Sequence, residues 1–543
     1  MSATAKKPTV IAGNRDSRDI VERIQSRKSE ELVVAFAGAV GCNLSEVIRS
    51  VKTHFEEYGY LAKVVKVSDL IREHFSENPA ELPAKYLSCD LANLTGLDRY
   101  TALQDLGDEL RSTYGTKALA ALSMLTISTS REMEIEARGD DKPPRAVYLV
   151  DQLKNPAEVE LFKLVYGNLF YLVGVLSPQD VRLNQLVRSE RMEPADAQAL
   201  ISRDRNDNKK HGQRLEKTIQ LADYFVRNNH DNISNLTKPC ARFVELVHGK
   251  NGITPTSDES GMYAAFSASL KSACLSRQVG AAISDQNRNI ISLGWNDVPK
   301  FGGGLYSSND EGGDQRCFYH GGKCYNDLYK SRLITDILAI VEKQVALSPE
   351  NKTALGALIL EETRAGSIIE YSRAIHAEME AILGLARHQG VSSRGCTLYT
   401  TTYPCHNCAR HIIAAGIARV VFIEPYEKSL AMELHEDAIS SDSQVKNKTT
   451  FDNFEGVAPR KYSSFFFSRG DRKDEQGSAI DIVKQDARHI GVEFLDSYQI
   501  IEARVVKDMW DRLHPGSGSN PPGIQSVASP VATVVDPDDT PAA

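Results

Sequence analysis

The chain has 543 residues, a formal net charge of −8 and a pI near 6.0. That length supplies material for about three domains, and the acidic balance excludes an overall electrostatic pull toward nucleic acid, leaving such a role only to a local basic patch. Nine cysteines without a disulfide-like framework fit a reducing cytoplasm, and the lack of a signal-peptide pattern or a bilayer-length apolar run predicts a cytoplasmic chain without a membrane partner.

Residues 1–30 are polar and charged and are expected to form a flexible arm. Leu32–Ala37 then reads as a strand, Gly38–Ser45 as a glycine turn and Glu46–Glu57 as a helix. Further strands are predicted at Ala62–Val67, at Ala146–Val150 just before Asp151, and at Leu169–Val175, with a helix from about Ala157. Alternating strands and helices predict a parallel α/β domain over 31–250. Gly38–Ser45 aligns with the phosphate-cradling pattern G-x-x-x-x-G-K-[ST], so Gly38, Gly41, Ser45 and Asp151 are the candidate nucleotide-binding residues. Asn43 replaces the second glycine and Leu44 the lysine, which removes the cation that would neutralise the β/γ-phosphates. The basic stretch Arg188, Arg191, Arg203, Arg205, Lys209 and Lys210 is placed like a lid, and reads also as a solvated helical face. This half looks like a P-loop kinase fold that has lost phosphoryl transfer and keeps a regulatory or sensing role, with anion binding left to backbone amides.

A second domain is expected over 262–513. Ala264–Leu275 reads as a helix, and Val279–Ile283 and Asn289–Gly294 as a strand pair joined by the polar turn Ser284–Arg288. Residues 300–370 form an insertion, glycine-rich first and helical later, and Val420–Ile423 is another strand. Residues 514–543, rich in proline and without apolar pattern, are expected to be a disordered tail. No tandem repeat is found.

Within this domain His376-Ala377-Glu378 opens a helical run through Leu385. The strand-like Cys396–Thr401 leads into Pro404-Cys405-His406-Asn407-Cys408, which opens another helix. One histidine and two cysteines make three zinc ligands, and three protein ligands leave the fourth position of a tetrahedral ion open for water. A lone C-x-x-C is often half of a structural zinc site, but no second pair follows to complete one. Both ligand sets fall at helix N-termini, where free amides and the helix dipole favour thiolate. The expectation is one catalytic Zn2+ on His376, Cys405 and Cys408, with Glu378 beside it as proton carrier. Cys317, His320 and Cys324 in the insertion are candidate ligands of a second metal without a clear fourth ligand. Loosely packed reduced cysteines are the alternative there.

The pattern H-x-E…P-C-x-x-C is the signature of the zinc nucleobase deaminases. Together with Ser276-Arg277-Gln278-Val279-Gly280, Gly294-Trp295-Asn296-Asp297-Val298-Pro299, Glu424-Pro425-Tyr426-Glu427-Lys428-Ser429 and Glu433-Leu434-His435-Glu436-Asp437-Ala438, in that order, it resembles the deoxycytidylate deaminases over about 262–470. The resemblance implies an α/β/α fold and hydrolytic loss of the cytosine amine. Zinc would lower the pKa of its water toward about 7, and Glu378 would pass protons to N3 and to the departing ammonia. It also implies Asn296 on the sugar, Arg277 on a phosphate, and Tyr426 and Lys428 closing over base and phosphate. From the residues alone, the alternatives are a turn asparagine at Asn296 and a solvent-facing or structural residue at Arg277. Some members carry a second, structural zinc in the region of the insertion. The two-part architecture is similar to bacterial antiphage deoxycytidine-nucleotide deaminases. This implies conversion of dCTP and dCMP to deoxyuridine nucleotides, depletion of a phage DNA precursor, dTTP feedback, restraint by a small inhibitory RNA, and a homo-oligomer such as a hexamer. Other readings are a deaminase editing single-stranded polynucleotide along the basic stretch 188–217, a housekeeping dCMP deaminase supplying dUMP, and a sensing module whose catalytic half is secondary.

Overall fold

The computed structural model describes residues 28–139, 143–205, 214–229, 233–310, 313–388, 390–425, 429–442, 444–468, 470–514 and 521. Its first half is built on five parallel strands: β1 (Leu32–Gly38), β2 (Leu61–Val65), β3 (Ala146–Val150), β4 (Phe170–Leu176) and β5 (Tyr224–Arg227), in the order β5-β4-β1-β3-β2. Every residue of β1, β3 and β4 is buried, as expected where helices cover both faces of a parallel sheet. Helix α1 (Leu44–Glu57) leaves the loop after β1 and buries Val47, Ile48, Val51 and Phe55, a stripe at helical spacing. Helices α2 (Gly96–Tyr114) and α3 (Ala118–Arg138) cover the sheet, and α4 (Pro194–Arg205) lies over the loop that follows β1. Strand, glycine loop and helix at the centre of this strand order are a P-loop kinase-like arrangement, as expected from the sequence.

The second half is a mixed sheet of β6 (Gly280–Ser284), β7 (Ile290–Trp295), β8 (Thr397–Thr402), β9 (Arg419–Glu424), β10 (Ile439–Ser440) and β11 (Thr449–Asn453), in the order β10-β11-β9-β8-β6-β7. Strand β6 runs antiparallel to both β7 and β8, and the other pairs are parallel. The predicted strand pair and turn thus form a hairpin, and the helix before it starts earlier than expected, as α5 (Ser257–Ser269), behind a Thr256/Glu259 capping box. Helices α6 (Ala377–Arg387) and α7 (His406–Ala414) carry the metal motif. Gly294 is required where α6 crosses β7, since a Cβ there would lie 2.1 Å from the Ala377 carbonyl oxygen. The insertion contributes helices at Tyr325–Val341 and Pro349–Glu362.

The end of the chain returns to the first half. Strand β12 (Gly456–Val457) adds antiparallel to β5, and α8 (Leu495–Leu513) packs against α3. Residues 456–457 and 495–513, expected within the second domain, thus pack on the first half. A buried ion cluster fixes the return. Arg131 of α3 donates to both oxygens of Glu31 at 2.9 Å and also pairs with Glu502 of α8, while Tyr166 and Tyr498 donate to the same two carboxylates. All three charged residues are buried. No helix among the described residues is long and apolar enough to cross a membrane.

Candidate active site

The metal motif folds as its local sequence dictates. His376 is the extended N-cap of α6, and Cys405 is the N-cap of α7, its Sγ accepting from the Cys408 N–H at 3.4 Å. Strand β8 delivers Pro404-Cys405 to the same end of the sheet that α6 crosses. His376 Nδ1 lies 3.2 Å from Cys408 Sγ and 3.3 Å from Cys405 Sγ, and the three donor atoms fall within 4.8 Å of one another. Among the described residues this is the one such group of three. Two sulfurs and an imidazole form a zinc-type donor set.

The electrostatics suit a cation. A hydrogen bond from the Cys408 thiol, with the His376 ring beside it, holds Cys405 well below the usual thiol range. The same contact and burial push Cys408 up. Burial disfavours the His376 cation, but its hydrogen bond to Cys405 and the nearby Glu378 outweigh this and raise its pKa. Glu378, in the first turn of α6, is buried, and its Oε2 accepts from Cys408 Sγ at 3.4 Å. Burial raises its pKa above the ordinary carboxylate value, with His376 opposing. A carboxylate shifted this way sits closer to the pH at which proton exchange is efficient.

A cavity of about 170 Å3 opens onto His376, Glu378 and Cys405 and is also lined by Arg277, Asn296, Thr402 and Tyr403. Arg277 is half-exposed and reaches Glu424 Oε2 at 3.8 Å. Asn296 is buried and bridges two turns, its Oδ1 accepting from Val279 N at 2.7 Å and its Nδ2 donating to the Arg277 carbonyl at 2.8 Å. Each amide end keeps one further hydrogen-bonding position, and the turn role read from the sequence is the one these two bonds display. Tyr426 and Lys428 lie outside the described residues. Asn326 was not foreseen. It comes from the insertion, lines the cavity, donates to the Ile368 carbonyl at 3.0 Å and leaves a buried Oδ1 without a partner. Nothing in the local sequence marks it, because the chain brings it in from a separate helix.

The second metal is a correction. Cys317, His320 and Cys324 do not gather their donor atoms into a ligand group. His320 Nδ1 meets Gln315 Oε1 at 3.0 Å, Cys324 Sγ lies 3.5 Å from Ser276 Oγ, and burial pushes the Cys317 thiol up. His320 and Cys324 are engaged with separate neighbours, and the three donors do not form a group of ligands.

The degenerate loop keeps a P-loop backbone. Gly41 has φ +85°, where a Cβ would lie 2.7 Å from the Arg182 carbonyl oxygen, and Asn43 holds a left-handed φ of 50°, which asparagine tolerates. The Gly38 carbonyl accepts from Gln152 at 2.9 Å, and Ser45 Oγ donates to Asn43 Oδ1 at 2.8 Å. Asp151 accepts from Val67 N at 2.8 Å, and burial raises its pKa to about 6. Gly41, Ser45 and Asp151 line one cavity of about 500 Å3.

A carboxylate able to trade protons beside an open-sided metal triad suits hydrolysis at an amine-bearing carbon, and the class so defined is that of the hydrolytic deaminases. Residues 255–424 match the cytidine and deoxycytidylate deaminase zinc-binding region. The chain is 32% identical over 165 residues to the deoxycytidylate deaminase of Enterobacteria phage T4, covering 30% of this chain and 76% of that protein. The chain belongs to the cytidine and deoxycytidylate deaminase family. Its N-terminal half is similar to a UPF0200 protein of Saccharolobus islandicus, 26% identical over 222 residues, covering 40% of this chain and 95% of that one. A dephospho-CoA kinase structure from Campylobacter jejuni is matched at 13% identity over 40% of this chain and 96% of that chain, with a TM-score of 0.22, too low for any structural argument.

Proposed function

We propose that this chain is a zinc-dependent deaminase of deoxycytidine nucleotides, acting on dCTP and also on dCMP, and that it drains the dCTP pool as a defence against phage. The observation that carries the chemistry is the buried Glu378 against the His376, Cys405 and Cys408 triad at the floor of a cavity. The net reaction adds water across the C4–N4 bond of cytosine and releases ammonia. Zinc on the triad supplies Lewis acidity and a more acidic bound water when present.

The chain's own residues do the rest. Glu378, with its raised pKa, carries two protons in turn: one from the attacking water to N3 of the base, then the second, from the hydroxyl formed on C4, to the departing amine. Asn296 offers its remaining donor and acceptor positions to the sugar, and Arg277, half-exposed at the cavity rim, supplies a cation for the phosphate. The buried oxygen of Asn326 is a ready acceptor for an N–H or O–H of the ligand. The role in defence rests on the resemblance of the two-part architecture, a kinase-like half with a lysine-less loop joined to a deoxycytidylate deaminase half.

The test is a substrate panel. Purified full-length protein is incubated with dCTP, dCMP, CTP and single-stranded DNA, and ammonia and uracil products are followed. Deamination of the deoxynucleotides is expected. Deamination of the polynucleotide with none of the free deoxynucleotides would reject the proposal.

A further inference from the structure

In a working phosphate loop the backbone amides point at an anion. Here an anion is already present, and it belongs to the chain. Asp204, from the last turn of α4, is 2% exposed and places its carboxylate in the loop. Its Oδ2 accepts from the Val40 N–H at 2.8 Å, and its Oδ1 accepts from Lys154 Nζ at 2.7 Å and from Gln104 Nε2 at 3.4 Å. Lys154 thus brings a cation to the loop although Leu44 stands where the usual lysine would be. An amide N–H, an ammonium and a side-chain amide converging on one carboxylate form a phosphate-type cradle.

Two further observations give this cradle a ligand. Its donors Val40, Lys154 and Gln104 line the cavity of about 500 Å3, whose walls also include Lys52, Lys66 and Arg99 beside apolar Leu103 and Leu186, while Asp204 itself lines a second cavity of about 930 Å3. Gln104, 5% exposed and lining the first of these, turns its Nε2 to Asp204 and leaves its Oε1 buried without a partner. An unmet acceptor next to an anion cradle and an apolar wall fits the N–H or O–H groups of a nucleoside whose phosphates would take the place of the carboxylate.

The element that carries Asp204 is built to let go. It is held by a small separate cluster, Val40, Leu186, Met192, Ala197, Leu200 and Ile201, in which the loop's own Val40 takes part, and by an ion pair from Arg203 to Asp105. The main core of this half is far larger, so this unit belongs to the low-stability end of the fold.

We propose that Asp204 is a tethered anion that holds the degenerate phosphate loop shut, and that a nucleoside phosphate enters this site only by expelling it and releasing α4. The cavity that the loop and the donors line shares no lining residue with the deaminase cavity, and the one that Asp204 lines meets it at Tyr403.

The experiment uses the full chain and ATP as probe, since adenine is not the base the deaminase cavity is read to accept. Asp204→Asn keeps shape and removes charge. Exchanging one charge-assisted hydrogen bond for a neutral one should tighten ATP binding by roughly ten- to a hundredfold over wild type in calorimetry. Adenosine should bind neither protein measurably. In wild-type protein, saturating ATP should speed amide hydrogen exchange across residues 194–205. That second reading needs no variant and locates the event away from the deaminase half. Equal ATP affinity in folded Asp204→Asn and wild type, adenosine binding as tightly as ATP, or unchanged exchange over 194–205 at saturating ATP would each overturn the proposal.

Discussion

Replacing Glu378 by glutamine separates the two jobs that the motif combines. The side chain is 4% exposed and contacts Cys408 Sγ at 3.4 Å through Oε2. Glutamine has the same shape, so the cavity and the first turn of α6 stay as they are. Burial already disfavours the charged carboxylate, so a neutral amide does not weaken the fold. The lost function is proton transfer. General acid–base groups contribute about 10²–10⁴-fold, equivalent to roughly 3–5 kcal/mol of barrier, and here one group is asked to serve two transfers, so the upper end is expected. The metal should remain, because the donor group consists of His376, Cys405 and Cys408 and does not include this carboxylate. Ammonia release from dCMP and dCTP gives the rate, and elemental analysis of the same preparation gives zinc per chain. A rate within tenfold of wild type would refute the assigned role, and so would zinc falling in step with activity.

Cys405→Ala should lose zinc and activity together. The wild-type melting temperature should drop on chelation while the variant's should not respond, and a chelator-sensitive variant would count against the ligand set. Arg131→Met strands the buried carboxylates of Glu31 and Glu502, and breaking a buried pair in this way is worth about 3–5 kcal/mol. Urea unfolding should show that loss, and a change below about 1 kcal/mol would mean that α8 is held by packing alone. His248 is buried, with Nδ1 donating to the Val244 carbonyl and Nε2 facing Tyr60 Oη, and burial lowers its pKa from 6.5 to about 3. The unfolded chain therefore takes up a proton that the folded one refuses. Stability present above pH 6.5 is lost as pH falls toward 3, by up to roughly 5 kcal/mol. His248→Phe keeps the ring against Tyr58 and should flatten the acid limb of the unfolding midpoint, and an unchanged limb would refute this.

What the sequence disclosed and what it hid divide along a physical line. The metal triad was legible because each ligand is fixed by its own neighbours. A histidine capping one helix and a C-x-x-C capping another need only the right strand before them, and β8 and α6 supply it within a few residues. The phosphate loop was legible for the same reason, since a glycine turn between a buried strand and an amphipathic helix is a local object, and Asn43 could keep its left-handed turn without the glycine. Contacts across long chain separation were not legible. Cys317, His320 and Cys324 have metal-like spacing along the chain but do not gather into a ligand group, and His320 and Cys324 turn their donors to different partners. Asn326 gains its place only when the insertion packs back on the site, and Glu502 gains its partner only when α8 returns to α3.

Asp204 shows most clearly why such contacts escape sequence reading. In the chain it is one acid within a basic stretch that reads as a solvated face, and the lysine that answers it stands fifty positions earlier, at Lys154. Leu44 reads as the loss of an anion site because the motif assigns the cation to that position. Electrostatics asks only that a cation reach the loop, from whatever element the fold brings near. Lys154 does so from the segment after β3, and the vacated role of the motif lysine is thereby separated from the question of whether the loop still holds an anion. Local sequence sets the shape of each site, and distant residues decide what occupies it.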